Sequence, residues 1–320
     1  MATSEPILWD AHAGFSYGPD VSLADLELWR SSGVNFLSVN VAYDVPPFSS
    51  KAWEALSNYR EQVATPRDNL LLCTTVTDVL DAKRDGKLAL AFDFEGSDAL
   101  AGKLENVERA YRLGVRQMLL AYNRNNLAAG GCHDDDQGLT GFGRELIHEM
   151  NRLGMVVDCS HGGFKSTMET MELSKAPVIF SHSNARALRD HERNIVDEQM
   201  RACAATGGVV GLTGVDLFLN PPGAKLPDLI DHIDYVSELI GPEHVGIGLD
   251  IVLKQGSVGV NKPENRSYWP QHQYSEEPHF FHPSIWSEIE GALRSRGFAE
   301  PEVMGILGAN FMRVAEKVWK

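Results

Sequence analysis

Imidazole and carboxylate side chains stand at the ends of several short apolar runs of the sequence. His12 follows the first run, Glu95 ends the run "LALAFDFE", and His161 and His182 end two later runs. Three imidazoles and a carboxylate are the ligand set for zinc or a similar first-row ion, and a ligand position left open would hold an acidic water. Any one of these residues alone is more often a hydrogen-bonded structural residue. The metal prediction therefore depends on whether the fold brings the four together.

Further polar side chains occupy equivalent positions along the chain. Asp10 follows the first apolar run, Tyr122 and Asn125 follow the fourth, and Asp250 ends the eighth. If the runs are parallel strands of a barrel, their carboxyl ends open on one mouth, where side chains from different strands converge. The pattern thus predicts a single site assembled from residues that are far apart in sequence.

Eight runs have the length and the branched apolar composition of strands that are buried on both faces. They are 7–10, 34–41, 88–95, 115–122, 155–161, 176–183, 207–214 and 244–250. Amphipathic stretches lie between them, as at 22–33, 141–154 and 226–241, and these three end in glycine as helices often do. The alternation predicts an α/β protein with a TIM-type (β/α)8 barrel, and a doubly wound open sheet is the alternative.

A chain of 320 residues is compatible with one such barrel, so we expect a single domain over 1–320. The stretch 253–283 interrupts the strand and helix rhythm with Gly, Pro, Asn, His and aromatic residues. We interpret it as a long functional loop. A helical period resumes near the C-terminus and predicts a helix at about 309–319 that packs back on the barrel.

The formal net charge of -15 argues against nucleic acid and anionic membranes as partners, because both favour a basic surface. The sequence contains no apolar run near the roughly 20 residues that a membrane span needs, and Met1 to Pro6 does not resemble a signal peptide. The four cysteines include no CxxC pair, which argues against a thiolate zinc site. These features predict a cytoplasmic protein with reduced thiols.

Several segments resemble the membrane (renal) dipeptidases, a family of zinc metallopeptidases with a (β/α)8 barrel. The segment "WDAHAGF" is similar to the family's D-G-H-x-D opening, and "FEGSDAL" to its E-G segment. The block "GLTGFGRELIHEMNRLGMVVDCSHGG" resembles the family's NRLG and SH block, and "APVIFSHSNARAL" its SHS segment. Shorter matches are "HERNI", "HVGIGLD" and "ILGANFMRV". The resemblance covers nearly the whole chain and implies a metallo-dependent hydrolase, in this family a homodimer that binds two zinc ions.

The resemblance also implies roles for single residues. Glu95 corresponds to the carboxylate that bridges the two metals, His161 and His182 to the other ligands of one ion, and His12 to a ligand of the second ion. Asp250 corresponds to the catalytic acid and base. Arg193 corresponds to the residue that holds the substrate's C-terminal carboxylate, for which a guanidinium fork is suited.

Two positions depart from the family pattern. Where the family has H-x-D, this chain reads His12, Ala13, Gly14, so one aspartate ligand is missing. Asp10, Asp250 or a loop residue is a candidate replacement. Tyr122 stands where the family has a histidine near the scissile carbonyl, and its neutral hydroxyl can still donate a hydrogen bond to a developing oxyanion. We therefore expect one zinc ion, with two as the alternative.

Other polar clusters have competing interpretations. The run "GCHDDD" at 131–136 either supplies replacement ligands or forms a solvated loop, and a solvated loop is the more common use of such a run. The aromatic stretch 265–283 either lines a small-molecule pocket or packs on the surface or against another subunit. Four histidines in helices or beside turns are expected on the surface or behind the site: His148, His191, His232 and His244.

These observations together predict a metal-dependent hydrolase that cleaves the amide bond of a dipeptide or an N-acyl amino acid. Asp250 and Tyr122 are the predicted catalytic residues, and Arg193, Tyr122 and Asn125 the predicted substrate-binding residues. The competing hypothesis is a non-catalytic barrel that keeps one metal, or none, to bind a small molecule. The change at Gly14 favours that hypothesis, whereas the presence of Asp250 and Arg193 favours an enzyme.

Overall fold

The computed structural model describes residues 5–15, 21–65, 69–254, 260 and 263–320, with the side chain of residue 264 excepted. Part of the loop predicted at 253–283, namely 255–259 and 261–262, lies outside the described residues, as do a few residues of the predicted 1–320 domain.

Nine parallel strands form one sheet. They are β1 (Trp9–Ala13), β2 (Phe36–Tyr43), β3 (Leu70–Leu72), β4 (Leu88–Glu95), β5 (Val115–Leu119), β6 (Val156–Asp158), β7 (Val178–Phe180), β8 (Val209–Leu212) and β9 (Val245–Ile247). Eight of them follow one another in the order β1-β2-β4-β5-β6-β7-β8-β9. The extra strand β3 pairs with Leu88–Leu90 at the start of β4, whereas β5 pairs with the later part of β4, from Phe92 to Phe94.

The barrel closes between its first and last strands. The backbone N–H of Asp250 donates to the carbonyl of His12 at 2.9 Å, and that of Phe15 donates to the carbonyl of Ile251 at 2.7 Å. This seam joins the two ends of the strand order. The prediction of an α/β TIM-type barrel is therefore confirmed, and the doubly wound open sheet is excluded.

The carboxylate of Asp10 stabilises the same junction between the first and last strands, the seam of the barrel. Its Oδ1 accepts from the backbone N–H of Leu249 at 2.9 Å. Its Oδ2 accepts from the indole N–H groups of Trp29 at 3.0 Å and Trp286 at 3.2 Å. Asp10 is fully buried, so these three donors compensate for the loss of water around a polar group.

Eleven α-helices lie in the described part of the chain. They are α1 (Glu27–Ser31), α2 (Ala52–Ala64), α3 (Val76–Arg84), α4 (Glu105–Arg112), α5 (Gly141–Leu153), α6 (Phe164–Leu173), α7 (Asp197–Ala205), α8 (Leu226–Ile240), α9 (Trp286–Arg296), α10 (Glu300–Met304) and α11 (Asn310–Val318). The ends of α5 show why the sequence forms it. Thr140 caps its first turn by accepting from Gly143 N–H, and Gly154 ends it at a φ of 91° that favours glycine.

Helices such as α2 cover the outer face of the sheet, whereas α11 packs through Phe311 against the inward-facing residues Ala89 and Ala91 of β4. Among the residues that the structure describes, no helix combines the length and the apolar character that a membrane crossing requires.

Alternation along β4 decides which side chains enter the barrel. Phe92 packs near Tyr59 of α2, and Phe94 meets Trp53 of the same helix edge-on. The intervening residues Asp93 and Glu95 consequently face the interior, where both are buried. The strand β4 thus has an apolar outer face and an inner face that directs two carboxylates toward the axis of the barrel.

Candidate metal centre

Three of the predicted ligands converge on one point at the carboxyl ends of β4, β6 and β7. The Oε1 of Glu95 lies 2.8 Å from the Nε2 of His161 and 3.2 Å from the Nε2 of His182. The two Nε2 atoms are 3.0 Å apart. All three side chains are buried. This is the donor set expected for zinc, one carboxylate and two imidazoles directed at a common centre.

His12 completes the cluster from β1. Its Nε2 lies 3.7 Å from Oε1 of Glu95 and 3.6 Å from Oδ1 of Asp250, and its ring stacks on His182 at a centroid distance of 3.9 Å. Three ligand atoms, one each from His12, Glu95 and His182, lie within 4.8 Å of one another. Neither ring nitrogen of His12 has a hydrogen-bond partner among the described residues. A buried imidazole with unused nitrogens beside two carboxylates fits a divalent ion.

Neighbouring side chains fix the orientation of the ligands. Asn40 donates to the Oε2 of Glu95 at 3.0 Å, and the Oδ1 of Asn123 lies 2.7 Å from the Nδ1 of His161. The hydroxyl of Ser181 lies 2.7 Å from the Nδ1 of His182. Because the Oδ1 of Asn123 can only accept, the proton of His161 lies on Nδ1, and its Nε2 lone pair is free to bind a metal.

The backbone is strained where the site is built. Asn123, His161 and Asp250 adopt positive φ angles of 60°, 63° and 55°, a region that side chains other than glycine seldom occupy. Each residue follows a strand, so the sharp turn aims its side chain back over the barrel mouth. Such strain is concentrated at functional sites, where the surrounding structure compensates for it.

Burial sets the protonation of the ligands. It lowers the pKa of His161 and His182 well below the ordinary value, and neighbouring positive groups such as Arg193 act in the same direction. Both imidazoles are therefore neutral, as metal ligands must be. Burial also raises the pKa of Glu95 well above the ordinary range, an effect that His12 opposes.

His12 has a different environment. Burial alone would lower its pKa, but the carboxylate of Asp93, 3.4 Å from Nδ1, together with Glu95 and Asp250 raises that pKa to about 10. A metal at this position would have to displace a proton. For Asp250, burial raises the pKa to about 6, although His12 and Arg193 oppose the shift.

The two named candidates to replace the missing aspartate ligand, Asp10 and Asp250, differ in whether their carboxylates can reach the metal cluster. Asp10 is unavailable, because three donors already occupy its carboxylate. Asp250 lies at the cluster, since its Oδ1 is 3.6 Å from His12 Nε2. Gly14 itself is buried directly after β1.

The 131–136 loop offers no ligand to the cluster, and the expectation that it is solvated is wrong for His133, whose side chain is fully buried. The Nδ1 of His133 lies 2.8 Å from Glu192, and its Nε2 lies 3.0 Å from the hydroxyl of Tyr274. Asp136 accepts hydrogen bonds from the hydroxyl and the backbone N–H of Ser166. This loop therefore connects neighbouring segments of the barrel mouth.

Tyr122 lies at the cluster, whereas Asn125 does not. The ring of Tyr122 stacks on that of His161 at a centroid distance of 4.3 Å, and burial raises the pKa of the phenol well above its ordinary value. Asn125 is exposed, and its side chain binds Gly131 N–H and the carbonyl of Asp135. The side chain of Asn125 thus contacts its own loop, and its substrate-binding role stays a prediction. Asn123, two residues earlier, is the one that contacts His161.

Arg193 is buried beside the cluster. Its Nη1 donates to the hydroxyl of Ser183 at 2.9 Å, and its Nη2 donates to the carbonyl of His182 at 2.6 Å. The remaining nitrogen, Nε, has no hydrogen-bond partner among the described residues. The Nε–H of the predicted carboxylate-binding group is thus unused.

Two histidines that were expected on the surface or behind the site are interior residues of the framework. His191 is buried and packs edge-on against Phe218 and Tyr274. His232 is buried in α8, where its Nδ1 accepts from the backbone N–H of Ala185. His148 is exposed and His244 half-buried, as expected.

The residues that orient the predicted metal ligands were not identified from the sequence. Asn40, Asn123 and Asp93 carry no motif that identifies them, whereas Ser181 belongs to the SHS segment. The only available signal was their position, because Asp93 shares the interior face of β4 with Glu95, and Ser181 and Asn123 are each adjacent to a residue selected as a candidate.

Comparison with known proteins identifies relatives of this chain. Residues 31–264 match the family model described as membrane dipeptidase, peptidase family M19. An uncharacterized dipeptidase of Schizosaccharomyces pombe is 34% identical over 274 residues, which cover 82% of this chain and 61% of the relative. Dipeptidase verJ of Clonostachys rogersoniana is 31% identical over 258 residues, or 78% of this chain and 61% of the relative. The aligned region thus spans 61% of the length of either curated relative.

A solved structure with the same architecture supports the fold. The crystal structure of an amidohydrolase from Pseudomonas aeruginosa superposes with a TM-score of 0.89 at 26% sequence identity. The superposition covers 98% of this chain and 97% of that one.

Proposed function

Because the chain belongs to the membrane dipeptidase family, peptidase family M19, we propose that it hydrolyses the amide bond of a dipeptide or an N-acyl amino acid with the help of a bound metal. The observation that carries this proposal is the convergence of Glu95 Oε1 with the Nε2 atoms of His161 and His182, with Asp250 beside them. The two relatives named as dipeptidases support the same reaction class.

One zinc ion held by Glu95, His161 and His182 is the proposed cofactor, with His12 as an additional ligand. When bound, the ion supplies the Lewis acidity that amide hydrolysis requires. Gly14 supplies no side chain for a second ion, and this supports one ion over two.

Protons in the proposed reaction move through Asp250. Its raised pKa of about 6 allows the carboxylate to take a proton from the attacking water and to pass it to the departing amine near neutral pH. Tyr122 stays protonated, so its hydroxyl can donate a hydrogen bond to the oxygen of the amide carbonyl.

Arg193 is the proposed anchor for the substrate's terminal carboxylate, because it is a buried cation with an unused Nε donor. We expect Arg193→Ala to reduce kcat/KM for dipeptides by roughly 10-fold to 100-fold or more, since a lost charge-assisted pair typically costs a few kcal/mol. Dipeptide amides, which lack the carboxylate, should lose far less. An equal loss for both substrate types would remove Arg193 from this role.

The central experiment combines metal analysis with hydrolysis. Purified protein is analysed for zinc and other first-row metals, and hydrolysis is measured over a panel of dipeptides that includes a D-residue at the C-terminal position. Metal-dependent hydrolysis that Asp250→Asn abolishes is the expected result. A bound metal without hydrolysis of any dipeptide or N-acyl amino acid would instead indicate a binding protein.

Assembly and location are further proposals. The family resemblance suggests a homodimer, and light scattering coupled to size-exclusion chromatography measures this directly. A cytoplasmic location is proposed as well, and the acidic charge of -15 supports a small-molecule substrate over nucleic acid or an anionic membrane as a partner.

A further inference from the structure

A second carboxylate lies beneath the metal centre, one layer deeper in the barrel. Asp93 shares the inner face of β4 with Glu95, and residues two apart on a strand are separated by roughly 6–7 Å along it. Asp93 is fully buried, and its Oδ2 accepts a hydrogen bond of 2.6 Å from the hydroxyl of Ser38 on β2. One neutral donor compensates poorly for a carboxylate removed from water, so the other oxygen requires a partner as well.

That other oxygen faces His12. Oδ1 of Asp93 lies 3.4 Å from Nδ1 of His12, and neither atom has a hydrogen-bond partner among the described residues. The second ring nitrogen, Nε2, lies on the side of the cluster, 3.7 Å from Oε1 of Glu95 and 3.6 Å from Oδ1 of Asp250. The imidazole thus spans two layers of the barrel. Asp93 is placed to act on an ion through His12 and not as a ligand of it.

The other two imidazoles of the centre have neutral partners at the corresponding nitrogen. Nδ1 of His161 faces the amide oxygen of Asn123, and Nδ1 of His182 faces the hydroxyl of Ser181, each at 2.7 Å. A carboxylate behind a ligand imidazole fixes its tautomer and makes it a stronger donor to the metal. Within the part of the chain that the structure describes, His12 alone of the three has such a partner.

The residue at position 14 explains why this charge matters. The pattern H-x-D of the family would place a carboxylate two residues after His12, but the chain has Gly14 there. Glu95 is then the only anion among the proposed ligands. A divalent ion in a buried site depends on nearby negative charge, because water no longer stabilises it. Asp93 is a buried negative charge that is available on the far side of the same imidazole.

We propose that Asp93 is a positioning residue that supplies, through His12, the negative charge that an aspartate at the position of Gly14 would supply directly. The Nδ1–H of His12 is directed at Oδ1 of Asp93, which leaves the Nε2 lone pair for the ion. Ser38 holds the other oxygen and keeps the carboxylate turned toward His12. The inference rests on the proposed function, because it concerns the metal of that reaction.

The test is the affinity for the first zinc ion bound, measured by competition with a chromophoric chelator. Asp93→Asn keeps the shape and an acceptor oxygen but removes the charge. It should weaken zinc binding roughly 10-fold to 100-fold, the range found for such orienting partners. In a chain that also carries Gly14→Asp, the same Asp93→Asn change should cost much less, because a carboxylate is again next to the ion. No loss, or an equal loss with and without Gly14→Asp, would overturn the proposal.

A spectroscopic measurement shows whether His12 itself responds. With cobalt(II) in place of zinc, the exchangeable N–H protons of ligand imidazoles give strongly shifted NMR signals, and the His12→Gln variant identifies the signal of His12. Asp93→Asn should shift or broaden this signal and leave those of His161 and His182 in place. If Asp93→Asn does not fold, Ser38→Ala gives a milder form of the same test, with a smaller loss of affinity and the same signal affected. An unchanged His12 signal contradicts the proposal.

Asp10→Asn is the matched control. Asp10 is equally buried and lies two residues before His12, but its carboxylate binds donors at the seam of the barrel. This variant should lower the Tm and keep a zinc affinity close to that of the unmodified protein. A loss as large as that of Asp93→Asn would assign the effect to buried charge in general and reject the specific contact.

The binding measurement also separates this inference from the proposed function. Zinc affinity that depends on Asp93, in a protein that hydrolyses no dipeptide or N-acyl amino acid, would support the inference and refute the proposed function. Metal-dependent hydrolysis with a zinc affinity that is independent of Asp93 would do the reverse.

Discussion

Gly14 is the residue at which this chain departs most from its family, and it makes the metal stoichiometry testable. Gly14→Asp would restore a carboxylate two residues after His12, on the segment that leaves β1. We expect the bound zinc to rise from near one ion per chain toward two. Metal analysis of protein dialysed against a defined zinc buffer gives the number directly.

Gly14→Asn is the control for that experiment. It has nearly the same size as Asp but no charge, so it should strain the buried backbone equally without providing a strong ligand. Two tightly held ions in the unmodified chain would contradict the expectation and would show that Asp250 or another nearby group already fills the vacant ligand position.

Asn123 tests how far the orientation of His161 matters. Its Oδ1 holds the Nδ1 of His161 at 2.7 Å, so Asn123→Ala frees the imidazole to rotate or to change tautomer. We expect zinc affinity to fall roughly 10-fold to 100-fold, the usual cost of losing such a partner. Competition with a chromophoric chelator measures the affinity without requiring activity.

Asn125→Ala is the matched control for Asn123→Ala. It removes the same side chain from the same loop, yet its contacts are with Gly131 and Asp135 and not with a ligand. Zinc affinity should stay close to that of the unmodified protein. A similar loss in both variants would mean that loop integrity, and not the orientation of His161, controls the metal.

Candidate metal ligands could be predicted at the residue scale because a residue at the carboxyl end of a barrel strand lies at the barrel mouth. Glu95, His161 and His182 were identifiable since each ends an apolar run, and the barrel brings such ends together. Asn40 and Asn123 could not be identified in this way. Their role depends on a hydrogen bond to a residue of another segment, and short-range sequence patterns contain no information about such contacts.

Among the elements, the segment 263–281 at the barrel mouth contacts the neutral histidine His133 through the hydroxyl of Tyr274. Glu192 can only accept, so His133 has a proton on Nδ1, whereas the Tyr274 hydroxyl at Nε2 can donate or accept. Burial lowers the pKa of His133 from 6.5 to about 4, an effect that Glu192 opposes and that Arg124 and Arg193 reinforce. His191, whose pKa burial lowers to about 3, also faces it.

This arrangement predicts that the attachment weakens in acid. The folded-state pKa of His133 lies below the ordinary value, so the stabilisation is complete above pH 6.5 and is lost as the pH falls toward 4. Hydrogen exchange at the amides of Gln273 and Tyr274, corrected for intrinsic rates, should show more opening at pH 5 than at pH 7.5.

His133→Gln supplies the comparison. Its amide can donate to Glu192 and accept from Tyr274, but it does not titrate, so the variant should show a weaker pH dependence of exchange. The contributions of His191 and Glu192 remain in both proteins. Identical pH profiles for the two would show that His133 is not the group that titrates.

The elements themselves were largely predictable. All eight apolar runs overlap with strands, because parallel strands buried on both faces leave a strong compositional signal. Two features were missed. β3 has only three residues, too few to show a period, and the π-helical turn Gly305–Ala309 between α10 and α11 depends on tertiary packing. Gly308 in that turn lies so close to β1 that an added Cβ would be 2.4 Å from the carbonyl oxygen of Ile7.

For the whole molecule, the metal should contribute to stability. Its ligands come from β1, β4, β6 and β7 or from the residues that directly follow them, so an ion that binds only the folded barrel stabilises it as a unit. At a free zinc concentration about 100 times Kd the gain is roughly 2.7 kcal/mol. A strong chelator should therefore lower the Tm by several degrees in differential scanning calorimetry.

The control for chelation is His182→Ala. This variant should have a lower Tm than the unmodified protein, but the chelator should change it little, because the ion is already lost. A shift of equal size in both proteins would indicate that the chelator acts elsewhere on the molecule.

The seam at Asp10 has a consequence for synthesis on the ribosome. Two of the three donors to this carboxylate lie far along the chain, 239 residues later at Leu249 and 276 residues later at Trp286. A growing chain can form β2 to β8 while β1 still lacks its neighbour β9. The barrel can close only after β9 and α9 have left the exit tunnel. Nascent chains consequently have an open sheet edge and an incomplete cluster of His12 and Asp250 until β9 and α9 have been synthesised. Premature termination before residue 250 should yield chains that chaperones retain and that bind no metal at this site.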